Sequence, residues 1–245
     1  MKRIILMLSL SLAALLGLSA CGFPLRHTEV RGSGGLITEV RRVSGFNQID
    51  LSGIGTLIIE QGSTETLHIS ADENILPYLE SRVSGRTLHL GVEEFVNVRP
   101  NQEVIYRLTV KDIESLEASG LGNIEIKALR AWQLQLEISG SGSIQIGDLQ
   151  ADTLYLDISG LGNVKVAGKV DVQNIEISGA GNYMAGDLTS RSAQIEISGS
   201  GNAQVWATDV LGVVISGMGS LDYYGSPSLN TGTSGLGKIH SLGDK

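Results

Sequence analysis

The chain has 245 residues, of which 32 are glycine and 4 are proline, and its formal net charge is −8. This glycine content is well above the average of about 7 % for globular chains, but there is no Gly-X-Y period, which excludes a collagen-like structure. With 42 % hydrophobic and 18 % charged residues, the chain can bury a core, so wholesale disorder is excluded as well. The acidic balance argues against a nucleic-acid partner, because nucleic acids are bound mainly by neutralising their phosphates.

The N-terminus has the pattern of an export signal. Met1-Lys2-Arg3 is basic, residues 4–16 are almost wholly apolar and small residues follow, which is typical of a secretory signal peptide over residues 1–20. The apolar run is shorter than the roughly 20 residues that a membrane-spanning helix needs. Leu18-Ser19-Ala20-Cys21 resembles the lipobox of bacterial lipoproteins, which are cut just before the cysteine. The resemblance implies lipid attachment at Cys21, with a diacylglycerol on its thiol and an acyl chain on its new amino group.

Residues 21–35 are predicted to be a lipidated, flexible tether, because they show no sustained apolar period and end in a glycine-serine run. Two or three acyl chains, at about 0.8 kcal/mol per buried methylene, would hold the protein durably on a membrane. Gly22 stands where inner-membrane lipoproteins carry an aspartate, so the resemblance favours the outer membrane. Since Cys21 is the only cysteine, neither an intramolecular disulfide nor a cysteine-based metal site is expected.

A repeat of about twenty residues fills the second half of the chain, with copies such as LEASGLGNIEI from Leu116 and LEISGSGSIQI from Leu136. Apolar and polar residues alternate on both sides of each Ser-Gly-x-Gly, which predicts short strands with one buried face. The glycines are expected to supply positive φ angles, and the asparagine that often follows tolerates the same region. The repeated serines are Ser119, Ser139, Ser159, Ser178, Ser198, Ser216 and Ser234, separated by 20, 20, 19, 20, 18 and 18 residues.

Two strands and two bends per repeat could form stacked hairpins or one coil of a solenoid. The fixed period and the recurrence of like residues at like positions favour a solenoid, whose coils lie about 4.8 Å apart in parallel sheets. Thr231 and Thr233 replace aliphatic residues in the last copy, so a polar capping coil is expected there. An early copy starts at Ile49. Residues 36–112 are predicted to form less regular β structure of the same domain, with a short helix within residues 73–83.

The order of these motifs resembles the head GIN domain family, labelled "putative autotransporter adhesin". The matching pieces are the opening VSGFNQI from Val43, the serial Ile-Ser-Gly-x-Gly-Asn and the closing LDYYGSP from Leu221. The resemblance covers about residues 40–240 and implies a right-handed β-helix-like fold in an exported, often lipid-anchored protein. We therefore predict an all-β protein, a right-handed parallel β-helix-like solenoid over residues 36–245.

No catalytic, cofactor-binding or metal-binding set is predicted. Ser-Gly-x-Gly is not the Gly-x-Ser-x-Gly of a nucleophile elbow, and the four histidines (His27, His68, His89 and His240) have no metal-ligand spacing. A polysaccharide-active β-helix enzyme is the less favoured alternative, because its site would need paired carboxylates or a calcium and basic cluster with aromatic platforms. Of the aromatic residues in the repeats, Tyr155 and Tyr183 are expected to point outward. We therefore predict that the protein is not an enzyme.

One column of carboxylates occupies the same outward position in five successive copies, where like charges repel their neighbours across strands. It could bind cations or a cationic partner, or it could be a solvated face whose side chains splay apart, and the second interpretation is favoured. The column consists of Glu117, Glu137, Asp157, Glu176 and Glu196.

The function predicted from the sequence is that of a lipid-anchored, exported envelope protein. It would act as a non-catalytic binding or adhesion module for a protein or glycan ligand. The alternative is a periplasmic structural or envelope-stress component with a protein partner. Neither interpretation involves a nucleic acid.

Overall fold

Parallel β-strands dominate the computed structural model of the protein, which describes residues 28–245. Nine strands precede the regular repeats: β1 (Thr28–Arg31), β2 (Leu36–Arg41), β3 (Gln48–Leu51), β4 (Thr56–Gln61), β5 (Thr66–Asp72), β6 (Leu79–Ser84), β7 (Thr87–Val92), β8 (Val96–Arg99) and β9 (Ile105–Val110). Ten belong to the repeats: β10 (Ser115–Ala118), β11 (Asn123–Ile126), β12 (Leu129–Ile138), β13 (Ser143–Ile158), β14 (Asn163–Ile177), β15 (Asn182–Ile197), β16 (Asn202–Ile215), β17 (Ser220–Tyr224), β18 (Ser228–Thr233) and β19 (Lys238–Gly243).

Each repeat forms one coil, and its strands pair in parallel with the same strands of the next coil. Leu136, for example, lies in register with Leu116 of the preceding coil and with Leu156 of the following one. All three are buried, as the alternating pattern predicts. A fully buried aliphatic side chain contributes about 1.5–3 kcal/mol, so these ladders are the main stabilising element. The predicted all-β solenoid is confirmed, with about 6 turns.

The repeated glycines allow neighbouring coils to approach closely, and the positive φ predicted for them is wrong. Among the described residues, Gly55 of the early copy is the only glycine of a Ser-Gly-x-Gly motif that has a positive φ. At the first glycine of each regular copy, an added Cβ would instead meet the carbonyl oxygen of the preceding coil. At Gly140 that oxygen belongs to Gly120 and lies 2.0 Å away. A Cβ at these corners is therefore excluded by the backbone of the neighbouring coil.

The asparagines after the glycines also have a role other than the predicted one. They begin strands with negative φ and form a hydrogen-bonded ladder along the solenoid axis. Asn182 Nδ2 donates to Asn163 Oδ1 at 2.8 Å, and Asn202 Nδ2 donates to Asn182 Oδ1 at 3.1 Å. Ser220 Oγ continues the ladder by donating to Asn202 Oδ1 at 2.7 Å. This asparagine ladder thus stabilises the stacking of coils.

The N-terminal region extends the same sheet, which confirms the prediction of a less regular β region. Strands β3 and β4 of the early copy pair in parallel with β10 and β11 on one side and with β7 and β9 on the other. Residues 62–110 therefore lie beyond the early copy, at the opposite side from the repeats. Three antiparallel pairs, β2–β5, β5–β9 and β6–β7, complete this end.

Of two local predictions for this region, one is confirmed in reduced form and one is wrong. The short helix predicted within residues 73–83 is a 3₁₀ helix, Leu76–Tyr78, with Pro77 in its first turn, and β6 follows it directly. The tether predicted for residues 21–35 does not include residues 28–35, because β1 pairs in parallel with β8. The folded part therefore begins before residue 36. Cys21 and the predicted signal peptide lie outside the described residues.

The last coil is polar, as predicted. Thr231 and Thr233 in β18 are exposed, and among the described strands β18 pairs with β16 alone. The C-terminal Lys245 folds back on the preceding coils, since its Nζ donates to the carbonyl oxygen of Gly186 at 3.0 Å and lies 4.9 Å from the ring centroid of Tyr224.

Within residues 28–245, no helix is long and apolar enough to cross a membrane.

Candidate functional site

Two parallel rows of outward side chains lie on β12, β13 and β14, across three successive coils. Arg130, Gln150 and Lys169 are paired in register and form the first row. Trp132, Asp152 and Asp171 form the second, because the residues on both sides of them are paired in the same register. Residues two apart on a strand point to the same face, so the six side chains share one surface. We call these six residues the Trp132 array.

The Trp132 array lines an open groove of about 760 Å³, whose rim also includes Asp112 and Asp148. Trp132 borders a second depression of about 430 Å³ as well, and its side chain is 79 % exposed. Single exposed apolar residues are common, but this indole stands where two depressions meet. A tryptophan presents a large rigid surface with one polar atom, which suits it to ligand contact.

The charges of the array are unpaired in the part of the chain that the structure describes. Among residues 28–245, none of Arg130, Lys169, Asp152 or Asp171 has an opposite charge within 4.0 Å. The neighbouring Gln150 contacts Asp148, with Nε2 donating to Oδ2 at 3.5 Å. The groove therefore offers free donors along one row, and free carboxylates beside an aromatic surface along the other.

The acidic column is confirmed as a row of neighbours and is longer than predicted. Glu117 is in register with Glu137, and the pairing continues through Asp157, Glu176 and Glu196. On its other side Glu117 is in register with Asp50 of the early copy. The Oδ2 atom of Asp50 lies 3.0 Å from Nδ1 of His89. Burial raises the pKa of the Glu117 carboxyl, and the carboxylates of Asp50 and Glu137 raise it further, against a lowering effect of His89.

The column extends in a line and does not converge on one point. Among residues 28–245, no group of three or more His, Cys, Asp or Glu side chains is placed to hold a metal ion. A shallow depression of about 300 Å³ runs beside the column, lined by Tyr155, Asp157 and Glu176 among others. The geometry favours a solvated acidic face over a cation site.

Replacing Asp157 by asparagine tests the repulsion within this column. The variant is expected to be more stable than the parent by about 0.5 kcal/mol at low ionic strength, since it removes two like-charge neighbours. The difference should shrink as salt screens the charges. The measurement is the free energy of unfolding across a salt series.

Glu125→Gln is the matched control, because Glu125 faces the uncharged Ile58 and Gln145 in the adjacent coils. It should show little salt-dependent change. Millimolar calcium should affect the parent and Asp157→Asn equally. A selective rise of the parent's melting temperature in calcium would show instead that the column binds cations.

The two tyrosines predicted to face outward have different environments. Tyr155 is 41 % exposed, as predicted, but Tyr183 is 1 % exposed and that prediction is wrong. Its hydroxyl donates to Oε1 of the buried Gln173 at 2.7 Å, and Nε2 of Gln173 donates to Ser190 Oγ at 2.9 Å. Burial raises the pKa of the Tyr183 hydroxyl well above its usual range. This row of hydrogen-bonded side chains is buried in the core and is not part of a contact surface.

The sequence analysis missed Trp132, although a signal for it exists. In the repeat alignment Trp132 takes the place that aspartate has in the next two coils, Asp152 and Asp171. An indole at a polar surface position departs from the pattern.

The described histidines do not come together, because His89 contacts Asp50 and His240 lies near Asp222.

These features define a class: a β-solenoid repeat protein whose candidate contact surfaces are open and shallow. The family model described as "Putative auto-transporter adhesin, head GIN domain" matches residues 45–227. The chain belongs to this family, as the resemblance of its motifs predicts. None of the curated proteins compared with the chain matches it.

Solved structures with the same fold include three from Bacteroides and Parabacteroides species. A "putative adhesin" from Bacteroides fragilis is 27 % identical with a TM-score of 0.83, and the match covers 87 % of this chain and 100 % of that one. A "putative lipid binding protein" from Parabacteroides distasonis is 24 % identical, with a TM-score of 0.74 and coverage of 88 % and 100 %. A "putative adhesin" from Parabacteroides merdae is 23 % identical, with a TM-score of 0.69 and coverage of 88 % and 99 %. The last two likenesses support the fold alone.

Proposed function

We propose that the protein is an exported, lipid-anchored envelope protein that acts as a non-catalytic adhesion module. Cys21 would carry the lipid after removal of residues 1–20, and the solenoid would present its surface away from the membrane. Outer-membrane attachment is part of the proposal, and it rests on the Leu18-Ser19-Ala20-Cys21-Gly22 sequence. Membership of a family described as adhesins supports the binding role.

The observation that carries the proposal is the Trp132 array. Its exposed indole and polar side chains stand on β12, β13 and β14, which pair in parallel with one another at these positions. This pairing holds the backbone under the array in place before a ligand arrives. Binding to a pre-organised surface loses less conformational freedom than binding to a flexible one. The array therefore has the properties that an adhesive contact requires.

Protease treatment of intact cells tests the proposal against the periplasmic alternative. If the protein is an adhesin, externally added protease should remove it while a periplasmic marker stays intact. Full protection in intact cells, together with digestion after the outer membrane is permeabilised, would contradict surface adhesion. That result would favour a periplasmic structural or envelope-stress role.

The lipid anchor is tested by Cys21→Ser. Serine provides no thiol for the diacylglycerol, so the variant is expected to accumulate as precursor or to leave the membrane fraction. Partition into a detergent phase and the mass of the mature N-terminus measure this directly. Gly22→Ala, which leaves the cysteine in place, is the control and should partition like the parent. A correctly cut Cys21→Ser protein that stays in the membrane fraction would contradict lipid attachment.

A further inference from the structure

We infer that the Trp132 array binds a neutral saccharide, laid along the solenoid axis over three coils. This inference deepens the proposed function, because it names the ligand class of the same surface. It rests on the side-chain types in the two rows, on their register and on their mixed charges.

The aromatic part of the array provides the apolar contact. One side of a pyranose ring often presents several C–H groups, and these pack against a flat aromatic surface. Trp132 is 79 % exposed and borders both depressions, so a ring can reach it from the open side. Covering an indole removes a large apolar area from water, which is the main favourable term available in so shallow a groove.

The polar rows provide hydrogen bonds of both kinds. Each saccharide hydroxyl can donate and accept, so a site that holds it needs both acceptors and donors. Asp152 and Asp171 accept, whereas Arg130 and Lys169 donate from the parallel row. Gln150, between the two donors, can do both. Because these charged groups have no ion-pair partner within 4.0 Å in the part of the chain that the structure describes, a ligand does not have to displace existing ion pairs there.

The spacing of the rows suits a chain of sugar units. Successive coils lie about 4.8 Å apart, close to the length of one pyranose unit in an extended chain. A saccharide that stacks on Trp132 and follows the axis would therefore place its next units beside Asp152 and then Asp171. Each coil would contact one unit.

The mixed charges of the groove argue for a neutral ligand over a lysine-rich peptide. The array carries two positive and two negative charges, and Asp112 and Asp148 on the rim add two further carboxylates, so neither a polycation nor a polyanion meets a surface of one sign. A peptide ammonium attracted to Trp132 and Asp152 would also approach Arg130 and Lys169. A saccharide carries no charge that either row would repel.

Binding of oligosaccharides to the purified full-length chain tests the inference. The probes are short oligomers of glucose, mannose, galactose and N-acetylglucosamine, in a detergent without a sugar headgroup. At least one should bind saturably, shift the tryptophan fluorescence and have a dissociation constant below about 10 mM. Trp132→Ala should weaken that binding about tenfold or more, and Asp152→Ala with Asp171→Ala should weaken it as well. Tyr155→Ala is the matched control, since it removes an exposed aromatic residue elsewhere and should leave the affinity within about twofold.

Salt dependence separates the ligand classes. Saccharide binding should stay nearly constant between low and high salt, whereas a charged ligand loses affinity as its charges are screened. Failure of every oligosaccharide, or binding that Trp132→Ala leaves intact, would overturn the inference. So would Trp132-dependent binding of an oligolysine peptide in place of saccharides. If saccharides bind but intact cells protect the protein from protease, the ligand class stands and the adhesion role fails.

Discussion

Gly140→Val is expected to destabilise the solenoid by about 3 kcal/mol or more, near the upper end of what overpacking costs. A Cβ at this corner would lie 2.0 Å from the carbonyl oxygen of Gly120 and 2.6 Å from that of Ser119. The coils cannot separate without breaking hydrogen bonds between them, such as that from the Ser141 N–H to the Gly120 carbonyl at 3.1 Å. Chemical unfolding followed by far-ultraviolet circular dichroism measures the loss.

Two companion variants make this result specific. Gln145→Val adds the same side chain at an exposed outward position, between Glu125 and Lys165 of the adjacent coils, and should change stability by no more than about 0.5 kcal/mol. Gly140→Ala should already cause most of the damage, because the Cβ itself makes the clash. Equal melting temperatures for Gly140→Val and Gln145→Val would contradict the close stacking of coils at this corner.

Asp72→Ala is expected to be the most damaging change at the N-terminal end. It should lower the free energy of unfolding by about 3–5 kcal/mol, because it leaves several backbone N–H groups without an acceptor. The carboxylate is fully buried and accepts hydrogen bonds from the backbone N–H groups of Gly34, Asn101 and Gln102. It thereby joins the segment after β1 to the segment after β8. Glu73→Ala, which removes an exposed carboxylate next to it in sequence, is the control and should have little effect.

The same carboxylate predicts a pH dependence. Burial by itself would raise the pKa of Asp72, but the backbone N–H groups of Gln102, Gly34 and Asn101 together outweigh it and hold the pKa below its ordinary value. Because its native pKa is depressed, the Asp72 carboxylate stabilises the fold at pH values above its unfolded-state pKa of about 3.9. This contribution to the free energy of unfolding is lost as the pH falls through the native pKa. The stability difference between parent and Asp72→Ala should therefore be constant near neutrality and shrink below about pH 4. A difference that grows on acidification would contradict this account.

The repeat made the regular part of the fold predictable. Its period of about twenty residues and its apolar alternation identified the strands, their buried faces and the parallel register of equivalent residues, including the acidic column from Glu117 to Glu196. The antiparallel strands of residues 62–110 were not predictable, because they carry no repeat. The early copy that starts at Ile49 puts Asp50 at the same repeat position as Glu117, but its direct pairing with the coil of Glu117 was not predictable, because irregular sequence lies between them.

By itself, the sequence determined which residues alternate and how often the pattern recurs, and these suffice for a stacked all-β solenoid because each coil contacts mainly the coils beside it. Only the tertiary structure decided why particular residues stand at the corners. Gly140 is required by a carbonyl oxygen one coil away, Asn182 by amides above and below it, and Tyr183 turns inward to reach Gln173. The Trp132 array likewise exists only once three coils are in register. The local pattern determines which face of a strand each side chain is on. Contact between coils depends instead on distances of a few ångströms between residues about twenty positions apart.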